Sequence, residues 1–253
     1  MTLLIAGGDS FTWGSELPDC KQTKASNMSW SALLSKQNEW EYRCVAKPGC
    51  GNTAIARRIM DATRYCDSDT VVTVMWSFPA RYEIKIDPKI AKEMSKIYHN
   101  TDLDGEWLTI STWQTLALSE KKKLLGCGED PVFNFRVERQ HEDYDKYGIA
   151  ELAKSYYNLV SHEKHVNDTL VSIYTLQNYL KDRGLRYSFS SVTEEVYDII
   201  NSDHPLNGMI DRSHWAGKTG MLDWAKTKGF PISPMGHPGP EAHIAWIEEH
   251  EIL

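Results

Sequence analysis

The chain has 253 residues, of which 41% are hydrophobic and 25% charged, with a net charge of −7 and a mean hydropathy of −0.48. This length is sufficient to bury the core of one large α/β domain. The acidic balance argues against a nucleic-acid partner held through its phosphates, and no run approaches the roughly 18 apolar residues of a membrane span. We therefore expect neither a nucleic-acid nor a membrane partner.

The cysteines are odd in number and form no C-x-x-C pair: Cys20, Cys44, Cys50, Cys66 and Cys127. This pattern predicts reduced thiols and favours neither a disulfide framework nor a zinc site. The N-terminus has no basic region and its apolar run is too short for a signal peptide, so we expect a cytoplasmic protein. The sequence carries no signal for an oligomeric state.

Buried strand patterns alternate with helical patterns along most of the chain. The strand patterns are TLLIAG (2–7), YRCVA (42–46), TVVTVMW (70–76) and LRYSFSSV (185–192). The helical patterns are 28–36, 52–66 and one long stretch over 149–182. Asn52 is predicted as the N-cap of the second and Gly184 as the C-cap of the third. The alternation predicts a three-layer α/β/α sandwich around a central, mainly parallel sheet.

The stretch from about 84 to 147 does not follow this alternation. It is polar and rich in Lys and Asp, and it contains Trp107 and Trp113. We interpret it as an insertion within a single domain that spans 1–253. Ligands of open α/β sheets bind beyond the carboxyl ends of the strands. An insertion over that edge is therefore a candidate for substrate specificity.

The segment GGDSFTWG (7–14) directly follows the first strand. Gly7 and Gly8 allow the backbone to turn sharply, and Ser10 would then present its hydroxyl at the edge of the sheet where ligands bind. That is the position of a nucleophile. The alternative interpretation is a Gly-Asp-Ser turn that only caps a helix.

Three features together resemble the SGNH hydrolases, also called the GDSL esterases/lipases. These are GDSFTWG after the first strand, a glycine cluster after the second strand, and a His-Pro element before the last helix. Gly8 to Gly14 fits the first block of the family, G-D-S-x-x-x-G, in full. The resemblance implies a flavodoxin-like fold of the SGNH type, with Ser10 as the nucleophile and Asp9 within the site.

The second block of the family resembles AKPGCGNTAI (46–55), which implies that Gly51 donates its N–H to an oxyanion and that Asn52 belongs to the site. The third block departs from the family, which has G-x-N-D there and uses the Asn to complete the oxyanion hole. This chain has MWSFPARYE (75–83), where Ser77 is the nearest short polar side chain and Arg81 adds a charge at the mouth of the site. Either the Ser77 hydroxyl replaces the missing amide, or the hole consists of backbone donors alone.

The last block resembles PMGHPGPEAHIAWIEEH (234–250), which makes His237 the candidate general base. The family has an Asp three residues before this His, and Pro234 stands there instead. A backbone carbonyl of PISPM or a carboxylate such as Glu241 could orient the imidazole in its place. His243, on the following helix, is interpreted as a packing or capping residue.

The resemblance implies a serine esterase that needs no metal and no organic cofactor. The polar insertion, with Trp107 and Trp113, favours a short acyl group, such as an O-acetyl, on a carbohydrate or another polar carrier. One alternative is a degenerate SGNH fold that binds a glycan or a protein without hydrolysis. A weaker alternative is a dinucleotide site, because Gly49, Gly51 and Ala54 match G-x-G-x-x-A.

Overall fold

The computed structural model describes residues 1–21, 23–95, 103–124 and 131–253. The chain divides into two compact units, of which the first comprises Met1–Pro79 and Val166–Leu253 and the second Ala80–His165. The polar stretch that the sequence analysis interprets as an insertion, 84–147, falls within the range of the second unit.

The helices and strands follow one another in this order: β1 (Leu3–Gly7), α1 (Ser10–Trp13), α2 (Trp30–Gln37), β2 (Glu41–Cys44), α3 (Asn52–Thr63), β3 (Thr70–Trp76), β4 (Tyr82–Lys85), α4 (Pro88–Met94), β5 (Leu103–Asp104), β6 (Trp107–Ile110), α5 (Leu118–Leu124), α6 (Pro131–Lys146), α7 (Ile149–Leu159), α8 (His162–Asp182), β7 (Arg186–Ser191), α9 (Glu194–Asn201), α10 (Met221–Thr227) and α11 (Pro240–Glu249). Short 3-10 turns occur between several of them. In the described part of the chain, no helix is both long and apolar enough to cross a bilayer.

The first unit is built on a parallel sheet with the strand order β2-β1-β3-β7. Successive side chains of a strand point to opposite faces, so each strand contributes to two cores. Ile5 and Val72 share one core with α3, α8 and α9, whereas Leu4 and Val71 share the other with α2, α10 and α11. Helices therefore cover both faces of the sheet, which confirms the predicted α/β fold class with its central parallel sheet.

The chain reverses direction across the sheet at β1, because β2 lies on one side of β1 and β3 on the other. The loops that follow β1 and β3 diverge at such a switch point and leave a crevice between them at the carboxyl edge. Ser10 follows β1 and Ser77 follows β3. The topology therefore brings these two residues to the same edge of the sheet.

The four predicted strands are confirmed within one or two residues at each end, and β3 coincides with the predicted 70–76. Gly184 has a φ of +64° and its N–H bonds to the carbonyl of Lys181, which confirms the predicted C-cap of α8. The single long helix predicted over 149–182 is wrong. Val160 is extended, with φ −90° and ψ 127°, and α8 begins after Ser161. Serine before a helix is a favoured start signal, which the apolar periodicity does not reveal.

The second unit contains an antiparallel sheet of order β4-β6-β5. Leu108 of β6 is fully buried and belongs to a small core together with Met94 of α4 and Tyr144 of α6. This unit therefore has its own apolar core, separate from the two cores of the parallel sheet.

Candidate functional site

The turn after β1 needs its glycines for steric reasons. Gly8 has a φ of +151°, and a Cβ atom there would lie 2.2 Å from Oγ1 of Thr12 and 3.1 Å from the carbonyl oxygen of Met75. Gly14 has a φ of +75° and ends α1, and its N–H bonds to the carbonyl of Ser10. A Cβ atom at Gly14 would lie 2.6 Å from Cβ of Ser26. The first and last glycines of G-D-S-x-x-x-G therefore occupy positions that only glycine fits without strain.

Asp9 and Ser10 lie between these glycines at the start of α1. Asp9 is fully buried, and its Oδ1 accepts the N–H of Phe11 at 3.0 Å as the N-cap of α1. The helix-capping interpretation of the Gly-Asp-Ser turn therefore describes Asp9 correctly. It leaves the neighbouring Ser10 hydroxyl available, since the Ser10 side chain makes no hydrogen bond among the described residues.

Ser77, the first residue after β3, hydrogen-bonds to residues that follow β1 and β2 at the carboxyl edge of the sheet. Its hydroxyl donates to Oδ2 of Asp9 at 2.6 Å. Its backbone N–H donates to Oδ1 of Asn52 at 2.8 Å, and its carbonyl accepts from Nδ2 of Asn52 at 3.1 Å. Ser77 thus binds the residue before Ser10 and the residue after Gly51.

Asn52 is the first residue of α3, and Gly51 is its N-cap, so the predicted N-cap role of Asn52 is wrong. The amide of Asn52 instead pairs with the backbone of Ser77 in the manner of a neighbouring strand. Its Nδ2 also donates to Oγ1 of Thr169 at 3.1 Å. Both hydrogens of this amide are therefore used in holding α3 against the ends of β3 and α8.

Two backbone N–H groups remain without an acceptor. Within the described ranges, neither the N–H of Ser10 nor that of Gly51 forms a hydrogen bond, although both residues are buried. Each stands at the N-terminal end of a helix, where the first N–H groups have no intrahelical partner. Asp9, which precedes Ser10, and Asn52, which follows Gly51, both hydrogen-bond to Ser77, so the two N–H groups belong to segments that meet at this residue. Paired unsatisfied donors of this kind can bind an anionic oxygen.

His237 lies in a tight loop before α11, in which Ile232 and Pro238 form an antiparallel bridge. The His237 N–H bonds to the hydroxyl of Ser233 at 2.9 Å, and the His237 carbonyl accepts from the Ser233 N–H at 2.8 Å. The imidazole is largely buried and packs on Phe11, the residue after Ser10, with 5.1 Å between the ring centres. The loop therefore places the predicted base against the residue that follows the predicted nucleophile.

The imidazole of His237 is bound at one nitrogen. Nδ1 lies 2.5 Å from Oε2 of Glu16, whereas Nε2 has no hydrogen-bond partner in the described part of the chain. No hydrogen bond joins the Ser10 hydroxyl to this ring among the described residues. Catalytic hydrogen bonds are often long in enzymes without substrate and tighten only in the complex.

Glu16 is the site residue that the sequence analysis missed. The expected partners of His237 were a carbonyl of PISPM or Glu241, and the structure places a carboxylate from the loop after α1 there instead. Burial alone would raise the pKa of Glu16, but hydrogen bonds from His237 and Ser233 outweigh it and lower that pKa. No motif spacing marks Glu16. The available signal was weak: it is the first carboxylate after the G-D-S block.

His243 has the capping role that the sequence analysis predicts. Its Nδ1 accepts the N–H of Trp30, the first residue of α2, at 3.0 Å. Burial, with a smaller contribution from the charge of His237, lowers the pKa of His243 to about 3. The ring is therefore neutral at physiological pH and acts as an acceptor.

The other predicted groups lie elsewhere. Arg81 belongs to the second unit, so its place at the mouth of the site stays a prediction. Four cysteines are free thiols, and Cys127 lies outside the described residues. No group of three or more His, Cys, Asp or Glu side chains that could hold a metal ion occurs in the described ranges.

Comparisons with known proteins add little. No protein-family model matches the sequence, and no curated protein is similar to it in sequence. Among solved structures, the chain is similar to an extracellular lipase from Streptomyces rimosus, at 11% identity over 98% of this chain and 99% of that chain. At a TM-score of 0.33, this likeness carries no argument about function. The site is therefore judged by its own geometry.

Proposed function

We propose that the protein is a serine ester hydrolase of the SGNH type, in which Ser10 is the nucleophile and His237 the general base. The observation that carries the proposal is the pair of unbonded N–H groups at Ser10 and Gly51, beside a serine hydroxyl at the carboxyl edge of a parallel sheet. Buried N–H groups are rarely left without a partner. Two of them, in segments that both hydrogen-bond to Ser77, are accounted for if an oxyanion accepts from both.

The reaction follows from these positions. Nε2 of His237 takes the proton of the Ser10 hydroxyl as Oγ attacks the ester carbonyl. The N–H groups of Ser10 and Gly51 donate to the oxyanion that forms. His237 then gives its proton to the leaving alcohol, and a water molecule releases the acyl group from Ser10 by the same steps in reverse.

The role of Ser77 in this proposal is to support the oxyanion hole rather than to donate to it. A hydroxyl has one proton, and that of Ser77 is donated to Asp9. The sequence leaves two alternatives open for the oxyanion hole. This contact supports the one in which only backbone N–H groups donate to the oxyanion. One donor fewer than the family pattern corresponds to about 3 kcal/mol less transition-state stabilisation, or roughly a hundredfold in kcat.

The substrate in this proposal is a short acyl ester, such as an O-acetyl group, on a carbohydrate or another polar carrier. Its support is the polar composition of the stretch at 84–147, which also contains Trp107 and Trp113. Neither a metal nor an organic cofactor takes part in any step.

A second candidate function is a binding module that keeps the fold without hydrolysis. The observation in its favour is that no hydrogen bond joins Ser10 to His237 among the described residues. The two proposals differ in one respect that can be measured, namely whether the Ser10 hydroxyl reacts.

The test compares p-nitrophenyl acetate hydrolysis by the wild type, Ser10→Ala and the matched control Ser15→Ala. Ser15 lies five residues from Ser10 and contacts it only through its backbone N–H, which alanine retains. We expect Ser10→Ala to lose at least about a thousandfold in kcat/KM, and Ser15→Ala to retain wild-type activity. A fluorophosphonate reagent should label Ser10 in the wild type, as read by mass spectrometry. Equal rates in the wild type and Ser10→Ala, without labelling, would favour the binding module.

A further inference from the structure

The acid that orients the catalytic histidine comes from an unexpected part of this chain. We infer that Glu16, in the loop after α1, is the positioning residue that orients the His237 imidazole for proton transfer. This inference rests on the proposed function. It replaces the Asp that the resemblance would place at position 234, where the chain has a proline.

The contact has the geometry that this role requires. Oε2 of Glu16 lies 2.5 Å from Nδ1 of His237, and the two side chains are only 28% and 10% exposed. A proton on Nδ1 that is donated to the carboxylate leaves Nε2 unprotonated, which is the tautomer that can accept the Ser10 proton. When His237 takes that proton, the same carboxylate stabilises the positive charge of the ring.

Glu16 also holds the loop that carries His237. The Ser233 hydroxyl donates to the same Oε2 atom, and the backbone N–H of Met235 interacts favourably with the carboxylate. Ser233 in turn accepts the N–H of His237. Three groups of one loop therefore converge on a single side chain that belongs to a segment 221 positions away.

The nucleophile and Glu16 lie on the same short segment. The carbonyl of Ser10 accepts the N–H groups of Gly14 and Ser15, which turns the chain back immediately before Glu16. Glu16 itself has a φ of +64°, a left-handed conformation that is unfavourable for a residue other than glycine. Such a conformation persists where other contacts stabilise it. Here it directs the Glu16 carboxylate toward the loop that carries His237.

Other ionisable groups near His237 do not fill this role. In the described part of the chain, Glu241 makes no hydrogen bond to His237, although it lies only four residues further on. His243, the other group whose charge interacts with His237, has its Nδ1 committed to the N–H of Trp30. Within the described residues, the titratable groups that interact with His237 are thus the carboxylate of Glu16, from the loop after α1, and His243 of α11, whose ring is neutral at physiological pH.

The experiment compares Glu16→Gln with the matched control Glu241→Gln and with Glu16→Asp, which keeps the charge on a shorter side chain. Proton NMR of the wild type should show an Nδ1–H signal downfield of the amide region, and His237→Gln should remove it. We expect Glu16→Gln to lose this signal and to lower kcat about 10²- to 10⁴-fold with little change in KM. Glu241→Gln should match the wild type, and Glu16→Asp should recover part of the loss.

Two results would overturn the inference. One is a Glu16→Gln variant that keeps the signal and a kcat within about twofold of the wild type. The other is the absence of the Nδ1–H signal from the wild type itself, which decides the matter even if Glu16→Gln does not fold. Failure of the proposed function is distinct: the wild type would hydrolyse no ester, while the signal would still depend on Glu16 and not on Glu241.

Discussion

The nucleophile turn (7–14) and the base loop (231–239) meet at one site but are held in different ways. The nucleophile turn is buried, and it depends on glycines with no room for a side chain and on the fully buried Asp9. The base loop is half-exposed, and it is anchored by the carboxylate of Glu16, which comes from outside the loop. Gly236, in the base loop, has open space around it.

This difference explains why only one of the two resembles its family block in full. Steric demands of the backbone act on neighbouring residues, so the nucleophile turn needs a fixed local pattern of glycine, Asp and Ser. The base loop needs an acid at Nδ1 of His237, and any segment that reaches this atom can supply it. Its local sequence can therefore change, as it has at Pro234, without loss of the contact.

The largest expected effect is that acid lowers the free energy of unfolding through the buried His243, which lies on α11, the helix that follows the base loop. His243 has a pKa of about 3 in the folded protein against 6.5 ordinarily, so between these pH values the unfolded chain binds a proton that the folded chain does not. The free energy of unfolding should therefore fall as the pH drops from 6.5 toward 3, by up to about 4–5 kcal/mol at roughly 1.4 kcal/mol per pH unit. The lowered pKa of Glu16 also contributes to the free energy of unfolding. This contribution is lost as the pH falls below 4.5, the ordinary pKa of the group. Urea unfolding at several pH values measures this.

The matched variants for this prediction are His243→Asn and His162→Asn. The asparagine side chain that replaces His243 can still accept the N–H of Trp30 but does not titrate, so this variant should show a much weaker dependence on pH between 6.5 and 3. His162 is exposed at the start of α8, and its substitution should leave the dependence unchanged. Identical curves for the wild type and His243→Asn would contradict the assignment of this effect to His243.

The second expected effect separates the two loops through their glycines. Gly8→Ala places a Cβ atom 2.2 Å from Oγ1 of Thr12 at a φ of +151°, and we expect it to cost about 3 kcal/mol and most of the activity. Gly236→Ala meets no atom within 4 Å, and only its φ of +90° is unfavourable, so about 1 kcal/mol is expected. Urea unfolding and kcat/KM measure both. Equal losses would show that the two loops are held alike.

The smallest expected effect compares two hydroxyls that each donate to a carboxylate. Ser77→Ala removes a donor from the fully buried Asp9 and should cost about 2 kcal/mol of unfolding free energy and roughly tenfold in kcat. Ser233→Ala removes a donor from the partly exposed Glu16 and should cost about 0.5 kcal/mol. Ser77→Thr keeps the hydroxyl and should recover part of the kcat. A Ser77→Ala variant with wild-type stability but a hundredfold lower kcat would instead identify Ser77 as an oxyanion donor.

Local rules were sufficient for much of this protein. Short runs rich in β-branched residues, such as TVVTVMW, predict buried strands, and their alternation with helical patterns predicts a parallel sheet covered on both faces. The glycines around Ser10 follow from the geometry of a tight turn, and the His-Pro step before the last helix was found through the resemblance to the SGNH hydrolases. The strands, the fold class and the candidates Ser10 and His237 were therefore predictable from the sequence.

The tertiary structure alone decided which side chains meet. The pairing of Glu16 with His237, of Ser77 with Asp9 and of Asn52 with the end of β3 joins segments 221, 68 and 25 positions apart. No periodicity or spacing encodes such contacts, because they depend on how the strand ends converge at one edge of the sheet. The sequence by itself determined which residues are the candidate nucleophile and the candidate base, Ser10 and His237. Folding decided which groups orient them, since a hydrogen bond depends on the distance between two atoms in space and not on their separation along the chain.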